Sequence, residues 1–256
     1  MDIQAIIFDV DGTVAETADL HRAAYNRAFQ EHGLSWHWDR EIYSQLVPVE
    51  FTLSKLRLFA SAVRQSGRGH APSATELAQI AALKARAYCH LLRQGRARLR
   101  PGVARLMKEA QHAGMALGAV STSTRAETQA LLSVTLGFHG MGWFSSLKTA
   151  ENANIYAPER SLYQAVLDDF CIDGARAVAI DDSASGAEGS ARCGLSCVIT
   201  PSLYTASNRF NPDALVLSDL GEPAAPFTEI SGELDGYSYV TPTLIRAMAR
   251  PKAAAA

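Results

Sequence analysis

The sequence predicts an α/β protein with a doubly wound parallel sheet and an all-helical insert near its amino end. Three observations predict this class: short stretches that are apolar at nearly every position, helical patterns that alternate with them, and one long stretch that holds helical patterns only. Strands that are covered on both faces of a parallel sheet are apolar throughout. Strands that alternate with helices imply right-handed crossovers between parallel neighbours.

The predicted core consists of residues 1–16 and 98–221. Its apolar strands are residues 3–8, 115–120, 175–180 and 195–199. Helical patterns lie between them or after them, at residues 102–113, 126–136, 158–170 and 184–193. This alternation is typical of a Rossmann-like core in which helices cover both faces of the sheet.

Residues 17–97 interrupt this alternation, because they contain helical patterns only. These patterns lie at residues 18–32, 38–46, 51–65 and 74–93. An insert of roughly 80 residues has the size of a small domain. Residues 222–256 are rich in Pro, Gly and Ala, and we expect them to form a C-terminal extension that is either packed or loose.

The composition is that of a soluble globular chain, since 48% of the 256 residues are hydrophobic and 20% are charged. A net charge of -2 provides no basic surface for nucleic acid or an anionic membrane. No apolar run is long enough to span a bilayer, and we expect no signal peptide before the first strand. The four cysteines lack metal-binding spacing, which favours reduced buried thiols. We expect a cytoplasmic monomer that binds neither nucleic acid nor membranes.

Polar residues stand at the carboxyl ends of three predicted strands. They are Asp9 and Asp11 after the first strand, Ser121 after the second, and Asp181 and Asp182 after the third. A single Asp after a strand is commonly a turn former. Ligands of an open parallel sheet, however, bind beyond the carboxyl ends of its strands. Four carboxylates at one rim repel each other, so we expect a cation among them, and oxygen ligands of this kind suit Mg²⁺.

These residues belong to motifs that resemble a known family. FDVDGT at residues 8–13, Ser121, and IDDSASG at residues 180–186 resemble motifs of the haloacid dehalogenase superfamily of phosphotransferases, and the resemblance covers about residues 3–220. Further stretches, including SCVITPSLYT at residues 196–205, are most similar to the CbbY-like sugar-phosphate phosphatases. Some of those enzymes dephosphorylate xylulose 1,5-bisphosphate. The resemblance implies that the helical insert is a cap domain.

The resemblance also implies a role for each site residue. Asp9 is expected to attack phosphorus and form an aspartyl-phosphate, and Asp11 to act first as general acid and then as general base. The cofactor Mg²⁺ is expected on Asp9, the backbone carbonyl of Asp11, Asp182 and, directly or through water, Asp181. The expected contacts to phosphate or substrate are Ser121, Thr122, Gly12, His21 and Arg160.

The sequence departs from this family at its third motif, K-P-x-x-D. In an ungapped alignment APERS at residues 157–161 stands in that place, so Ala157 replaces the lysine that offsets the charge of nucleophile and phosphate. A gapped alignment places Ile155 there instead, and the lysine is missing in both. Arg160, one helical turn on, and Lys148 are candidates to supply the missing charge, and the alternative for each is a solvated surface position. A T-G-G-K loop of the family's cap is replaced by EFTL at residues 50–53.

Three functions therefore remain open. We favour an Mg²⁺-dependent phosphatase of a small sugar phosphate, because the nucleophile, the acid/base and the metal acids are all present. The second is a degenerate, non-catalytic regulator that binds Mg²⁺ or a phosphorylated ligand, which the missing lysine favours. The third is a phosphomutase similar to β-phosphoglucomutase, since such an enzyme uses the same aspartyl-phosphate.

Overall fold

The computed structural model describes residues 2–67, 70–232, 234 and 236–248, and a seven-stranded sheet forms the centre of this part of the chain. The strands are β1 (Ala5–Asp9), β2 (Ala116–Val120), β3 (Ser146–Lys148), β4 (Ala177–Asp181), β5 (Ser196–Ile199), β6 (Leu215–Leu217) and β7 (Glu229–Ser231). The helices are α1 (Ala18–Glu31), α2 (Arg40–Leu46), α3 (Thr52–Ser66), α4 (Ala74–Arg93), α5 (Val103–His112), α6 (Arg125–Met141), α7 (Pro158–Phe170), α8 (Ala184–Ala191) and α9 (Pro242–Ala247).

The sheet has the strand order β3-β2-β1-β4-β5-β6-β7, so β1 lies near its middle. All neighbouring strands pair in parallel except β7, which pairs antiparallel with β6. The predicted α/β class with a parallel sheet is confirmed, and the four predicted strands agree with the structure to within two residues. The sequence analysis missed β3, β6 and β7, because strands of three residues are too short to show a hydrophobic period.

The residues of β1 explain why its sequence is apolar without alternation. Ile6 and Phe8 point into a core cluster with α5 and α9, whereas Ala5 and Ile7 join a second cluster with α7 on the opposite face. All four side chains are fully buried. The strand is thus covered by helices on both faces, as in other doubly wound sheets.

The helices α1–α4, here called the helical insert, all lie between β1 and β2 in the chain. The insert has an aromatic cluster of its own, in which the Trp38 and Phe29 rings meet edge to face at 4.9 Å. Trp38 is fully buried and therefore packs the insert. At the boundary with the core, Lys84 of α4 forms a buried ion pair of 2.6 Å with Glu127 of α6.

Residues 222–248 complete the core beyond the predicted boundary at residue 221. Strand β7 extends the sheet, and Leu244 and Ile245 of α9 are buried in the same cluster as β1. Arg105 of α5 donates hydrogen bonds to the carbonyls of Gly221 and Val240, which fixes the start and end of this segment. The described part of the extension is packed, and residues 249–256 lie outside the described residues.

Two further observations concern the cysteine thiols and the apolar character of the helices. All four cysteines are free, and Cys171 is exposed. Within the described ranges, no helix combines the length and the apolar character that crossing a membrane requires.

Leu244→Ala should destabilise the whole protein by about 2–5 kcal/mol, because truncation of a buried leucine loses apolar contacts and leaves a cavity. Leu244 is 2% exposed, whereas Leu58 on the surface of α3 is 51% exposed and provides a matched control. Urea unfolding followed by circular dichroism measures both changes. If Leu244→Ala costs no more than Leu58→Ala, the extension does not contribute to the core.

Candidate active site

The order of the strands in the sheet indicates where a ligand would bind. From β1 the chain adds β2 and β3 on one side of the sheet, and β4, β5 and β6 follow on the other side. The direction of winding therefore reverses between β1 and β4, and ligands of open α/β sheets bind in the crevice at such a point. Asp9 is the last residue of β1, and Asp181 is the last residue of β4.

Three carboxylates meet at this crevice. Asp9, Asp181 and Asp182 each offer one oxygen, and these oxygens lie within 4.8 Å of one another. Oδ2 of Asp9 is buried and has no hydrogen-bond partner. Burial raises the pKa of Asp9 well above its usual value, and the charges of Asp181 and Asp182 raise it further. A hard cation with oxygen ligands satisfies both the orphaned oxygen and the repulsion, so this donor set fits Mg²⁺.

Asp181 is held in place from two sides. Its Oδ2 accepts a hydrogen bond of 2.7 Å from the Tyr163 hydroxyl, and its Oδ1 accepts from the amide and hydroxyl of Ser183, both at 2.9 Å. Gly186 of α8 leaves the room that this carboxylate needs, since a Cβ there would lie 1.9 Å from Oδ2. The loop between β4 and α8 is thus shaped around the acid.

Gly12 leaves the space that the carboxylate of Asp182 needs. A Cβ on Gly12 would lie 2.4 Å from Oδ2 of Asp182, and the φ of +95° also favours glycine. The phosphate contact of Gly12 stays a prediction, and the backbone groups of Gly12 already have partners. Its amide already donates to the carbonyl of Ala15, and its carbonyl accepts from Arg100. Gly12 therefore makes space for the second acid.

Asp11 lies beside these carboxylates and is surrounded by hydrogen-bond donors. Its Oδ1 accepts hydrogen bonds from Thr17 and from Nε2 of His21, each at 2.9 Å, and its Oδ2 accepts from Ser121 at 3.0 Å. Burial alone would raise the pKa of Asp11, but the attraction of His21 and these hydrogen bonds outweigh it and hold the pKa well below the usual value. His21 stacks on Tyr88 at 4.0 Å, and burial lowers its pKa.

The two residues after β2 lie where they were predicted. The Ser121 hydroxyl is buried and also accepts from the amide of Ser123, at 3.0 Å. Thr122 lines the same cleft and hydrogen-bonds Glu50 of the helical insert. The loop that follows β2 thus brings two hydroxyls to the rim of the sheet, next to the carboxylates.

Neither candidate for the missing positive charge lies in the site. Ala157 stands at the N-terminus of α7. Arg160, predicted to contact phosphate, is exposed beside Cys193 and is not among the residues that line the cleft. Lys148 forms an ion pair of 2.7 Å with Asp169. The contact of Arg160 with phosphate stays a prediction that the cleft lining does not support, and Lys148 is paired with Asp169.

An acid enters the cleft near the third motif instead. Glu159 lines the cleft together with Glu50, which belongs to the segment that replaces the T-G-G-K loop. Burial raises the pKa of Glu159 well above its usual value, and Glu50 and Asp181 raise it further. Two neighbouring carboxyl groups oppose each other's ionisation, because their like charges repel. Where the family has the positive charge of a lysine, this cleft therefore contains an acidic group, Glu159.

The basic residues among the described cleft lining are Lys55, Lys84, His21 and Arg209. Lys84 is neutralised by Glu127, as described above. The ammonium of Lys55 donates to the carbonyls of Leu46 and Val47 at the end of α2, and burial lowers its pKa to about 8. Arg209 is exposed at the mouth. None of these groups takes the place of a lysine beside Asp9.

The cleft has a volume of about 610 Å³ and lies between the rim of the sheet and the helical insert. That volume suits a small polar metabolite. A larger groove of about 1450 Å³ lies between α8 and the C-terminal extension, and none of the predicted site residues lines it. The chemistry of the protein belongs to the smaller cleft, because the perturbed carboxylates lie there.

Several residues of the cleft escaped the sequence analysis. They are Glu50, Glu159, Thr17, Tyr163 and Thr205. Glu159 lies within the APERS stretch, and an acid two residues after the missing lysine was a signal of the reversed charge. The hydroxyl groups gave no signal, since Thr and Tyr are common at loops and in buried helices.

The comparisons with known proteins agree with this geometry. The model of the family "haloacid dehalogenase-like hydrolase" matches residues 3–194. The plasmid-encoded protein CbbY of Cupriavidus necator is 37% identical over 228 residues, which cover 89% of each chain. The crystal structure of CbbY from Rhodobacter sphaeroides in complex with phosphate has 31% identity and a TM-score of 0.78, and covers 85% of this chain and 94% of that chain.

A mutant of the same Rhodobacter protein, in complex with xylulose-(1,5)bisphosphate, matches with a TM-score of 0.79 and 31% identity over 87% of this chain and 98% of that chain. The chain belongs to the haloacid dehalogenase-like hydrolase family. The predicted family and enzyme class, a hydrolase of phosphoric monoesters, are thereby confirmed. Two β-phosphoglucomutase structures, 18% and 15% identical, share the fold alone.

We expect the metal-free protein to lose stability as the pH rises from about 4 to about 7. Burial, and next the charge of Asp181, raise the pKa of Asp182 to about 7 in the folded protein, against about 3.9 in an unfolded chain. The folded state therefore binds this proton more tightly, and its stabilising effect is lost as the pH passes through the folded pKa. Mg²⁺ should restore stability at the upper end. Thermal unfolding with and without Mg²⁺ measures this.

The control for that pH dependence is Asp182→Asn, which should flatten the dependence and remove the response to Mg²⁺. A metal-free wild type whose melting temperature rises between about pH 4 and about pH 7 would contradict the pKa shift.

Proposed function

We propose that this chain is an Mg²⁺-dependent phosphatase that removes phosphate from a small sugar phosphate through an aspartyl-phosphate on Asp9. The observation that carries the proposal is the unpartnered Oδ2 of Asp9 among three carboxylates at the carboxyl ends of β1 and β4. This is an oxygen that is poised both for a cation and for attack on phosphorus. The similarity to a CbbY that was crystallised with xylulose-(1,5)bisphosphate supports a sugar bisphosphate as substrate.

Mg²⁺ would be held by Asp9, Asp182 and the backbone carbonyl of Asp11, with Asp181 acting directly or through water. When bound, the ion neutralises the carboxylates and the incoming phosphate. Asp181 is already fixed by Tyr163, so it can orient a ligand without moving. The phosphate would lie against the Ser121 and Thr122 hydroxyls, beyond the end of β2, where side-chain donors face the cleft.

The reaction has two steps. In the first, an oxygen of Asp9 attacks phosphorus, the bond from phosphorus to the sugar oxygen breaks, and that oxygen takes a proton from Asp11. In the second, water attacks the aspartyl-phosphate, Asp11 takes the proton from the water, and phosphate leaves Asp9 as a free carboxylate. A positioned acid/base of this kind contributes about 10²–10⁴ in rate.

In this mechanism Asp11 has to gain a proton before the first step, because its hydrogen-bond donors hold its pKa low in the free protein. A phosphate dianion beside Asp11 would raise that pKa by repulsion. Ser121 now donates to Asp11, and a phosphate that accepts from Ser121 removes that donor too. Substrate binding would therefore convert Asp11 from a hydrogen-bond acceptor into the acid, with His21 as the neighbour that orients it.

We assign residues 17–97 the role of a cap over the predicted core of residues 1–16 and 98–221, which residues 222–248 complete. The cleft lies between the two, and His21, Glu50 and Lys55 reach it from the insert. A cap of this kind excludes bulk water from the phosphoryl transfer. A monomer in the cytoplasm stays a prediction.

The reversed charge near the third motif supports the second candidate, a non-catalytic binder of Mg²⁺ or of a phosphorylated ligand. Glu159 adds a carboxyl where a cation is needed, so phosphate binding is weakened relative to an enzyme with the lysine. The phosphomutase alternative has the shared fold as its sole support.

Release of inorganic phosphate from sugar mono- and bisphosphates, with Mg²⁺ and with a chelator, tests the proposal. Turnover that is unaffected by the chelator, or none on any substrate, would refute it.

Asp9→Asn should abolish turnover and leave the fold intact, because an amide cannot form the acyl-phosphate. Phosphate release and circular dichroism measure the two effects. Asp213→Asn, an exposed acid on the far side of α8, is the matched control and should keep the wild-type rate. Near wild-type turnover by Asp9→Asn would show that another group is the nucleophile.

Ala157→Lys should raise turnover by up to about 10²–10³-fold, because the loss of one preorganised group that stabilises the transition-state charge lowers kcat by that factor. Glu159→Gln should act in the same direction with a smaller gain, because it removes a negative charge and adds none. Steady-state phosphate release measures both. Arg160→Ala and Lys148→Ala are the controls, and both should be neutral because these side chains lie outside the cleft. A wild type that is fast and indifferent to Ala157→Lys would mean that the site needs no cation there.

A further inference from the structure

Thr205, in the segment between β5 and β6, makes a contact that no motif explains. Its hydroxyl donates to Oδ2 of Asp182 at 2.9 Å and accepts from the amide of Ser202 at 2.8 Å. Thr205 is 4% exposed, and Ser202 is 3% exposed with its own hydroxyl 3.0 Å from that of Thr205. A hydroxyl has a single proton to give, and the amide of Ser202 occupies one of its lone pairs. An ionised carboxylate can only accept, so this proton is directed at Asp182 and the Ser202 hydroxyl donates to Thr205.

The neighbouring residue connects the same segment to the helical insert. The Tyr204 hydroxyl donates to Oδ1 of Asp19, in the first turn of α1, at 2.6 Å. Its ring meets Tyr43 of α2 edge to face at 5.7 Å and is 8% exposed. Tyr204 is the one core-side residue among the buried members of the aromatic cluster of the insert. A change in the position of α1 or α2 thus reaches Tyr204 directly.

We propose that Thr205 is a positioning residue for the metal ligand Asp182, and that Tyr204 couples this positioning to the helical insert. The inference rests on the proposed function in one respect, namely that Asp182 is a ligand of Mg²⁺. A carboxylate that is held by one oxygen presents the other in a fixed direction, and hydrogen bonds of this type determine how well a ligand set binds its metal. Two consecutive residues then transmit the position of the insert to the metal site.

The consequence is a thermodynamic linkage between the insert and the ion. If an insert that is docked through Tyr204 holds Thr205 against Asp182, it favours Mg²⁺ binding, and bound Mg²⁺ favours the docked insert by the same factor. Hydrogen bonds also hold the segment between β5 and β6 near both of its ends, as such a linkage requires. Arg100 donates to the carbonyls of Thr200 and Pro201, which fixes the start of the segment, and Asn208 accepts from the amide of Ala184 near its end.

Calorimetric titration of the substrate-free protein with Mg²⁺, at a pH well above the pKa of Asp182, tests this without turnover. Thr205→Val keeps the shape but removes the hydroxyl, and it should weaken Mg²⁺ binding by about 10–100-fold. Thr205→Ser restores the hydroxyl and should stay within about twofold of wild type. Thr135→Val is the matched control, because its hydroxyl donates to a helix carbonyl of α6 and its loss should change nothing.

Tyr204→Phe keeps the ring and removes the hydrogen bond to Asp19, and it should weaken Mg²⁺ binding by about 2–10-fold, the value of one hydrogen bond. Unchanged affinity in this variant would overturn the coupling to the insert. Wild-type affinity in Thr205→Val, or an equal loss in Thr205→Ser, would overturn the positioning role and leave the proposed function standing. A wild type that binds no Mg²⁺ would overturn both.

Discussion

The mutual repulsion of buried carboxylates is the constraint on which the rest of this site depends. Asp9, Asp181 and Asp182 stand together because the carboxyl ends of β1 and β4 are neighbours in a parallel sheet. Their pKa values are all raised, since burial and their shared charge oppose ionisation. A site of this kind is held together either by protons or by a cation. In the proposed function, the carboxylates that destabilise the metal-free protein at neutral pH are also the ones that would bind Mg²⁺.

The surrounding structure serves to hold these carboxylates at the distance a cation requires. Gly12 and Gly186 leave space that any side chain would fill, and hydroxyls from Tyr163 and Thr205 fix one oxygen each of Asp181 and Asp182. Oδ2 of Asp9 is buried and has no hydrogen-bond partner. This difference in partners supports the roles proposed above, because a nucleophile needs a free oxygen whereas a metal ligand benefits from being oriented.

The acids at the strand ends could be predicted from the sequence, because parallel strands deliver their carboxyl ends to one edge whatever the rest of the chain does. The position of Arg160 could not, since a helix turns by about 100° per residue and the rotation of α7 depends on its packing. That rotation brings Glu159 to the cleft and leaves Arg160 outside. The space-making role of Gly12 depends on a contact with Asp182, 170 positions away, and pattern alone does not show it.

The central claim is that Asp9 carries the phosphoryl group during turnover. Acid quenching of the enzyme during reaction with xylulose 1,5-bisphosphate and Mg²⁺, followed by peptide mass spectrometry, tests it most directly. The account predicts a phosphoryl group on the peptide that contains Asp9, located on Asp9 itself and absent when Mg²⁺ is chelated. Phosphate release without modification of Asp9, or with the phosphoryl group on another residue, would contradict it.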